Sequence, residues 1–166
     1  CSSDLPDLVR WFAGQVQASA VESGRGERAV RIMSAAPSYI GDVATGRDRI
    51  RWFPALVGNH VVDLVNKYQG ELPEALTHYV RGRQGYDYLH HAEVGSSNAQ
   101  FVTDDIVDRF GLVGSVDDHV RKLLELRDAG VDQFNLYLMN GDEAEQLERF
   151  GREVIPAYRA AAAARA

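Results

Sequence analysis

The stretch that decides the fold is Thr103–Pro156, TDDIVDRFGLVGSVDDHVRKLLELRDAGVDQFNLYLMNGDEAEQLERFGREVIP. Ser115 and Asp118 stand three apart at a helix start, where a hydroxyl can cap an unpaired N–H and an acid suits the helix dipole. Val116, Val120, Leu123 and Leu124 follow at three- and four-residue spacing, one apolar stripe on an otherwise charged helix that runs on to Arg127. Gly130 falls where that helix must stop, because a left-handed terminal position costs glycine nothing. Val131–Met139 then alternates as a strand, with Phe134, Leu136 and Leu138 on one side and Asn135, Tyr137 and Met139 on the other. A second helix follows at once. Asp142 can cap it, with Glu145 reaching back as in a capping box; Ala144, Leu147, Phe150, Val154 and Ile155 form the expected buried stripe, and Pro156 the expected end.

Helix, strand and helix joined by short loops belong to parallel α/β architecture, either a barrel or an open sheet. The run DRFGLVGSVDDHVRKLLELRDAGVDQFNLYL (Asp108–Leu138), followed by an acidic helix ending in Arg-Glu-Val-Ile-Pro, resembles the C-terminal end of luciferase-like monooxygenases. Within that superfamily it is most similar to the branch dependent on the deazaflavin coenzyme F420. The resemblance implies the C-terminal portion of a (β/α)8 TIM barrel, with this segment as the last strand and its flanking helices.

Composition narrows the alternatives. Of the 166 residues, 45% are hydrophobic and 25% charged, an ordinary soluble balance. Eighteen Lys and Arg against 24 Asp and Glu leave a charge of −6, which disfavours wholesale binding to a phosphate backbone, so no nucleic-acid partner is expected. One cysteine, Cys1, excludes an intrachain disulfide framework and suits a reducing cytoplasm. No apolar run approaches the roughly 18 residues a membrane span needs, and no signal peptide is visible. A full barrel takes about 250 residues. The chain starts without Met and shows two strands, so it reads as a helix-rich fragment of a barrel. Residues 1–159 form the barrel portion, with an insertion at about 42–101, and 160–166 form an alanine-rich tail, helical by propensity but without a mate. The isolated chain is expected to be unstable or to self-associate.

Upstream, Asp4–Ser23 reads as a helix with Leu5, Leu8, Val9, Phe12, Val16 and Ala20 on one face. Ala29–Ala36 reads as the first strand, with Val30 and Ile32 on one side, Met33 and Ala35 on the other, and Pro37 ending the pairing. Under the resemblance this is the penultimate barrel strand, and the loop after it opens on the active-site side. A helical region then begins after Gly46 and is broken at Pro54 into two helices or one kinked helix, with a short helix over Leu72–Val80 beyond. So long a connection is expected to shape a substrate pocket.

The densest chemistry lies within it, YVRGRQGYDYLHHAEVGSSNAQF (Tyr79–Phe101). Arg81 and Arg83 bracket a glycine, and two guanidiniums so spaced can approach a phosphate or carboxylate while Tyr86 and Tyr88 cover a planar ring. With His90 and His91 they are the candidate cofactor- or substrate-binding residues; the alternative is a loop whose aromatics pack on the barrel rim and whose arginines pair with Asp87 and Glu93. No metal is expected: His60, His78, His90, His91 and His119 match no ligand spacing, and His119, on the charged helix, reads as a surface residue. No G-x-S-x-G elbow supports a serine hydrolase, and the glycines are out of order for a dinucleotide fingerprint. Arg109 reads as pairing with Asp105 or Asp108 on its own helix. The resemblance implies an oxidoreductase fragment using coenzyme F420 or FMN on a small organic substrate, homo-oligomeric as the full-length protein. It carries over no catalytic residue by motif. A non-catalytic flavin-binding or interaction module of the same fold is the other reading.

Overall fold

The computed structural model describes residues 6–57, 89–90, 94–100 and 102–165. It contains a parallel sheet of three strands: β1 (Met33–Ile40), β2 (Leu112–Gly114) and β3 (Gln133–Tyr137), in the order β2-β1-β3. The direct parallel pairing of β1 with β3, Met33 opposite Gln133 through Pro37 opposite Tyr137, is what the barrel reading requires. Around the sheet lie α1 (Pro6–Glu22), α2 (Val43–Ile50), a helical stretch over 52–57, α3 (Asp104–Phe110), α4 (Val116–Asp128), α5 (Glu143–Arg149) and α6 (Ile155–Ala163).

Several expectations change in detail. The first strand begins later and runs through Pro37 rather than ending there. Proline is tolerated because β1 changes partner at that point: Pro37 is the last residue in register with β3, and Ser38 is the first in register with β2. β2 was not expected as a strand. At three residues, with Gly111 before it and Gly114 closing it, it is too short to show an alternating pattern. α2 starts at Val43 instead of after Gly46, capped by Asp42, whose carboxylate accepts the Thr45 N–H at 2.9 Å. The helical break falls at Arg51, and Pro54 sits inside the first turn of the 52–57 stretch, where its missing N–H costs nothing.

α4 matches its expectation closely. Ser115 and Asp118 form a reciprocal capping box, and Gly130 ends the helix at φ +104° with the paired bonds of a Schellman motif: Val131 N–H to Leu126 O and Gly130 N–H to Arg127 O. A Cβ on Gly130 would lie 3.3 Å from that of Ala13, so the same glycine lets α1 approach. Val9 of α1 packs there with Leu126, Ala129 and Phe134.

α5 departs from its expectation. Asp142 caps without a side-chain bond and Glu145 closes no box; Glu143 instead accepts the Gly141 N–H at 2.8 Å. Pro156 does not end the helix. Phe150–Val154 form a π-helical segment that carries α5 directly into α6, and the wider turn accommodates the proline ring, which would otherwise press on the Arg152 carbonyl. The buried positions are therefore Gln146, Phe150 and Val154, while Leu147 and Ile155 face outward. The alanine-rich tail continues α6, a helix that packs against α4, and Arg165 pairs with Asp128 of α4 at 3.8 Å.

Candidate functional site

β1, β2 and β3 all run the same way, so Ile40, Gly114 and the 138–142 loop come together at one end of the sheet. This carboxyl end is where ligands bind in parallel α/β folds. Among the described residues no strand flanks β1 on its β3 side beyond Tyr137, and side chains take over the ladder. The Asn140 amide donates to Ser38 O at 3.1 Å. Gln146 grips Ile40 twice, accepting its N–H at 2.8 Å and donating to its carbonyl at 3.4 Å. Arg149 donates to the same carbonyl at 2.7 Å and is held in place by Glu153. Arg49, from α2, donates to the Asn140 carbonyl. The backbone of a strand end buried away from water must find such partners.

His119 lies beneath this cluster. It is 1% exposed, not the surface residue its charged helix suggested. Its Nδ1 sits 2.7 Å from the Ser115 carbonyl, which only accepts, so Nδ1 carries the proton. Nε2 then accepts from the fully buried Ser38 hydroxyl at 2.8 Å. The Phe150 ring meets the imidazole edge-on at 5.4 Å. Burial holds the His119 pKa below its ordinary value, against the opposing pull of the Ser115 carbonyl and of Asp118. The signal was present in the sequence: positions 116, 119 and 123 share one helical face, so His119 belongs to the apolar stripe of α4.

Of the six residues singled out for binding, Arg81, Arg83, Tyr86, Tyr88 and His91 lie outside the described residues. His90 is exposed, and its carbonyl accepts the Ser96 hydroxyl. The Asp108 carboxylate, one of the two partners expected for Arg109, is engaged by Arg47 of α2. Among the described residues no cluster could hold a metal ion, and no helix is long and apolar enough to cross a membrane. The described cavities include a groove of about 240 Å³ between α4, β3 and α6, reaching Phe134 and Tyr158, and a mixed-charge cleft of about 310 Å³ between α2, β2 and α4.

At the strand end Arg149 is engaged by Glu153 and the Ile40 carbonyl, and Arg49 gives one of its five donors to the Asn140 carbonyl. What this cluster can do is hold the end of β1 rigid beneath the loops that follow.

A family model described as luciferase-like monooxygenase matches residues 4–133. Among solved structures, the chain is similar to the coenzyme F420 dependent tetrahydromethanopterin reductase from Methanopyrus kandleri, at 20% identity and a TM-score of 0.66. The likeness covers 95% of this chain and 44% of that one, so the chain spans less than half the length of that structure. None of the curated proteins compared matches it.

Proposed function

Because the chain belongs to the luciferase-like monooxygenase family, we propose that it forms part of a flavin- or deazaflavin-dependent oxidoreductase acting on a small organic substrate. The family match is the observation that carries this reading. The three parallel strands with a common carboxyl end agree with it, and the dependence of the similar reductase on coenzyme F420 favours the deazaflavin over FMN.

When bound, such a ring accepts or delivers a hydride, or activates oxygen, and the protein's task is to orient it and exclude water. The residues described here take the supporting part. Gln146, Asn140 and Arg149 fix the strand end from which the loop at Gly41 departs. Direct contacts are assigned to the 42–101 insertion, with Arg81 and Arg83 on an anionic tail or substrate acid and Tyr86, Tyr88, His90 and His91 beside the ring. Residues 1–159 would be the barrel portion of a larger homo-oligomeric cytoplasmic enzyme, and this part alone would be inactive.

The test is titration of the full-length protein with coenzyme F420 and with FMN, followed by absorbance and fluorescence. Deazaflavin should bind the more tightly. Arg83→Ala should weaken binding roughly ten- to a hundredfold, the worth of one charge-assisted contact, with thermal stability nearly unchanged. Normal binding with lost stability would make the segment a clasp on the barrel rim. A folded protein that binds neither ring would leave the non-catalytic module as the better account.

A further inference from the structure

We propose that His119 is a pH-operated latch on the carboxyl end of β1, closed when the imidazole is neutral and opened when it is protonated. The proposal is independent of which cofactor the protein uses, since it concerns only contacts within this chain.

The latch has three members from three elements. β1 brings the buried Ser38 hydroxyl, α4 brings His119 and the Ser115 carbonyl that fixes its tautomer, and the π-helical segment brings the Phe150 ring. Closed, the arrangement is complete: a carbonyl takes the proton on Nδ1, and a hydroxyl gives its proton to Nε2. A second proton would have to enter at Nε2, where Ser38 now donates. The hydroxyl must then turn its hydrogen elsewhere, in a site with no exposure to water.

Burial opposes the new charge more than the surroundings favour it. From β2 comes the Leu112 carbonyl, which with the Ser115 carbonyl favours the protonated ring. From α4 comes Asp118, already accepting from Ser115 and Arg121. From α5 comes Arg149, whose positive charge opposes protonation. From β1 and the π-helical segment, Ser38 and Phe150 face the ring. A buried imidazolium so placed is relieved by separating α4 from β1 and admitting water.

What that separation frees is specific. Ser38, Tyr39 and Ile40 are the residues of β1 in register with β2, and Gly41 N–H donates to Gly114 O at 3.0 Å immediately ahead of the Ser115 cap. Loosening α4 therefore loosens the β1–β2 junction and the Gly41–Asp42 turn into α2. The opposite side of β1, held by Gln146 and Asn140, keeps the strand from leaving the sheet. The result is local opening at one strand end, distinct from unfolding.

Nitrogen-15 NMR of the His119 ring in the full-length protein, combined with amide hydrogen exchange from pH 8 to pH 5, tests this. Near pH 8 the ring should show the Nδ1–H tautomer. It should titrate below the ordinary histidine value, and over the same pH interval the Gly41 amide should lose protection at least about tenfold relative to its intrinsic rate, while amides at the centre of α4 keep theirs. In Ser38→Ala the Gly41 amide should already be less protected at neutral pH. In His119→Gln the pH step should vanish. If that variant does not fold, the wild-type titration decides alone. The latch is refuted if His119 titrates while Gly41 stays protected, if the step persists in His119→Gln, or if His119 stays neutral until the whole chain unfolds.

Discussion

Position 46 sets how near α2 can come to the sheet. An ideal Cβ there would lie 2.6 Å from Val113 Cγ1 and 2.7 Å from Tyr39 Cδ1, closer than real Cβ atoms approach. Tyr39 also leans over Gly41, where a Cβ would meet its ring at 2.8 Å. Gly46→Ala should therefore destabilise by about 1–3 kcal/mol, the usual cost of overpacking, although alanine is the better helix former. Denaturant unfolding of the variant measures it; an unchanged or raised midpoint would mean that Tyr39 gives way freely. The sequence shows this glycine only as a helix start, because its job depends on Val113, sixty-seven residues away in the chain. His119 is the opposite case. Its place in the α4 stripe was readable from spacing, and the charged neighbours Asp117 and Asp118 hid it.

Among the elements, those whose ends are marked by local chemistry were legible. α4 has its Ser115–Asp118 box and its Gly130 stop, and it forms as read. α5 was misread because its rotation is set from outside. Gln146 turns inward to occupy the ladder position vacated where β3 ends, and that puts Leu147 at the surface. Nothing in the acidic stretch Glu143–Arg149 announces that a strand end needs an amide partner. Gln146→Ala should leave the buried Ile40 N–H without an acceptor, at a cost of about 1–3 kcal/mol. The loss should appear also as faster exchange of the Ile40 amide. Gln146→Glu keeps an acceptor but lacks the donor for Ile40 O, so it should recover part of that protection. A wild-type exchange rate at Ile40 in Gln146→Ala would show that Arg149 alone holds the strand end. The binding residues proposed from the insertion were read from residue type alone; with no strand or helix register to orient them, neighbouring chemistry was the whole signal.

At the scale of the molecule, one face of the sheet is dressed by helices, and the other still shows Met33, 48% exposed, and Tyr137, 40% exposed, on the side expected to face a barrel interior. Charge spreads differently. Asp42, Asp104, Asp118, Asp132, Glu143 and Glu153 all have pKa values lowered in the fold. Their leading causes are hydrogen bonds: Asp42 from Thr45, Asp118 from Ser115, Asp132 from the Ile32 N–H, Glu143 from the Gly141 N–H, and Asp104 and Glu153 from Arg51 and Arg149. A carboxylate with a depressed folded pKa stabilises above its unfolded value, near 4, and that stabilisation is lost as pH falls through the folded value. His119 is depressed too, but as a base: the unfolded chain takes its proton below about 6.5 while the folded one resists, so its contribution is full above 6.5 and declines beneath. Stability should thus fall in two stages, the first below about pH 6.5 and the second below about pH 4. Salt separates them. The Arg51–Asp104 and Arg149–Glu153 pairs stand near the surface and are screened, whereas the burial of His119 is not. Thermal midpoints from pH 3 to pH 8 at low and high ionic strength should therefore show salt altering the lower stage and sparing the upper, with the upper stage reduced in His119→Gln. A single decline confined to the carboxylate range would mean that burial does not keep His119 neutral.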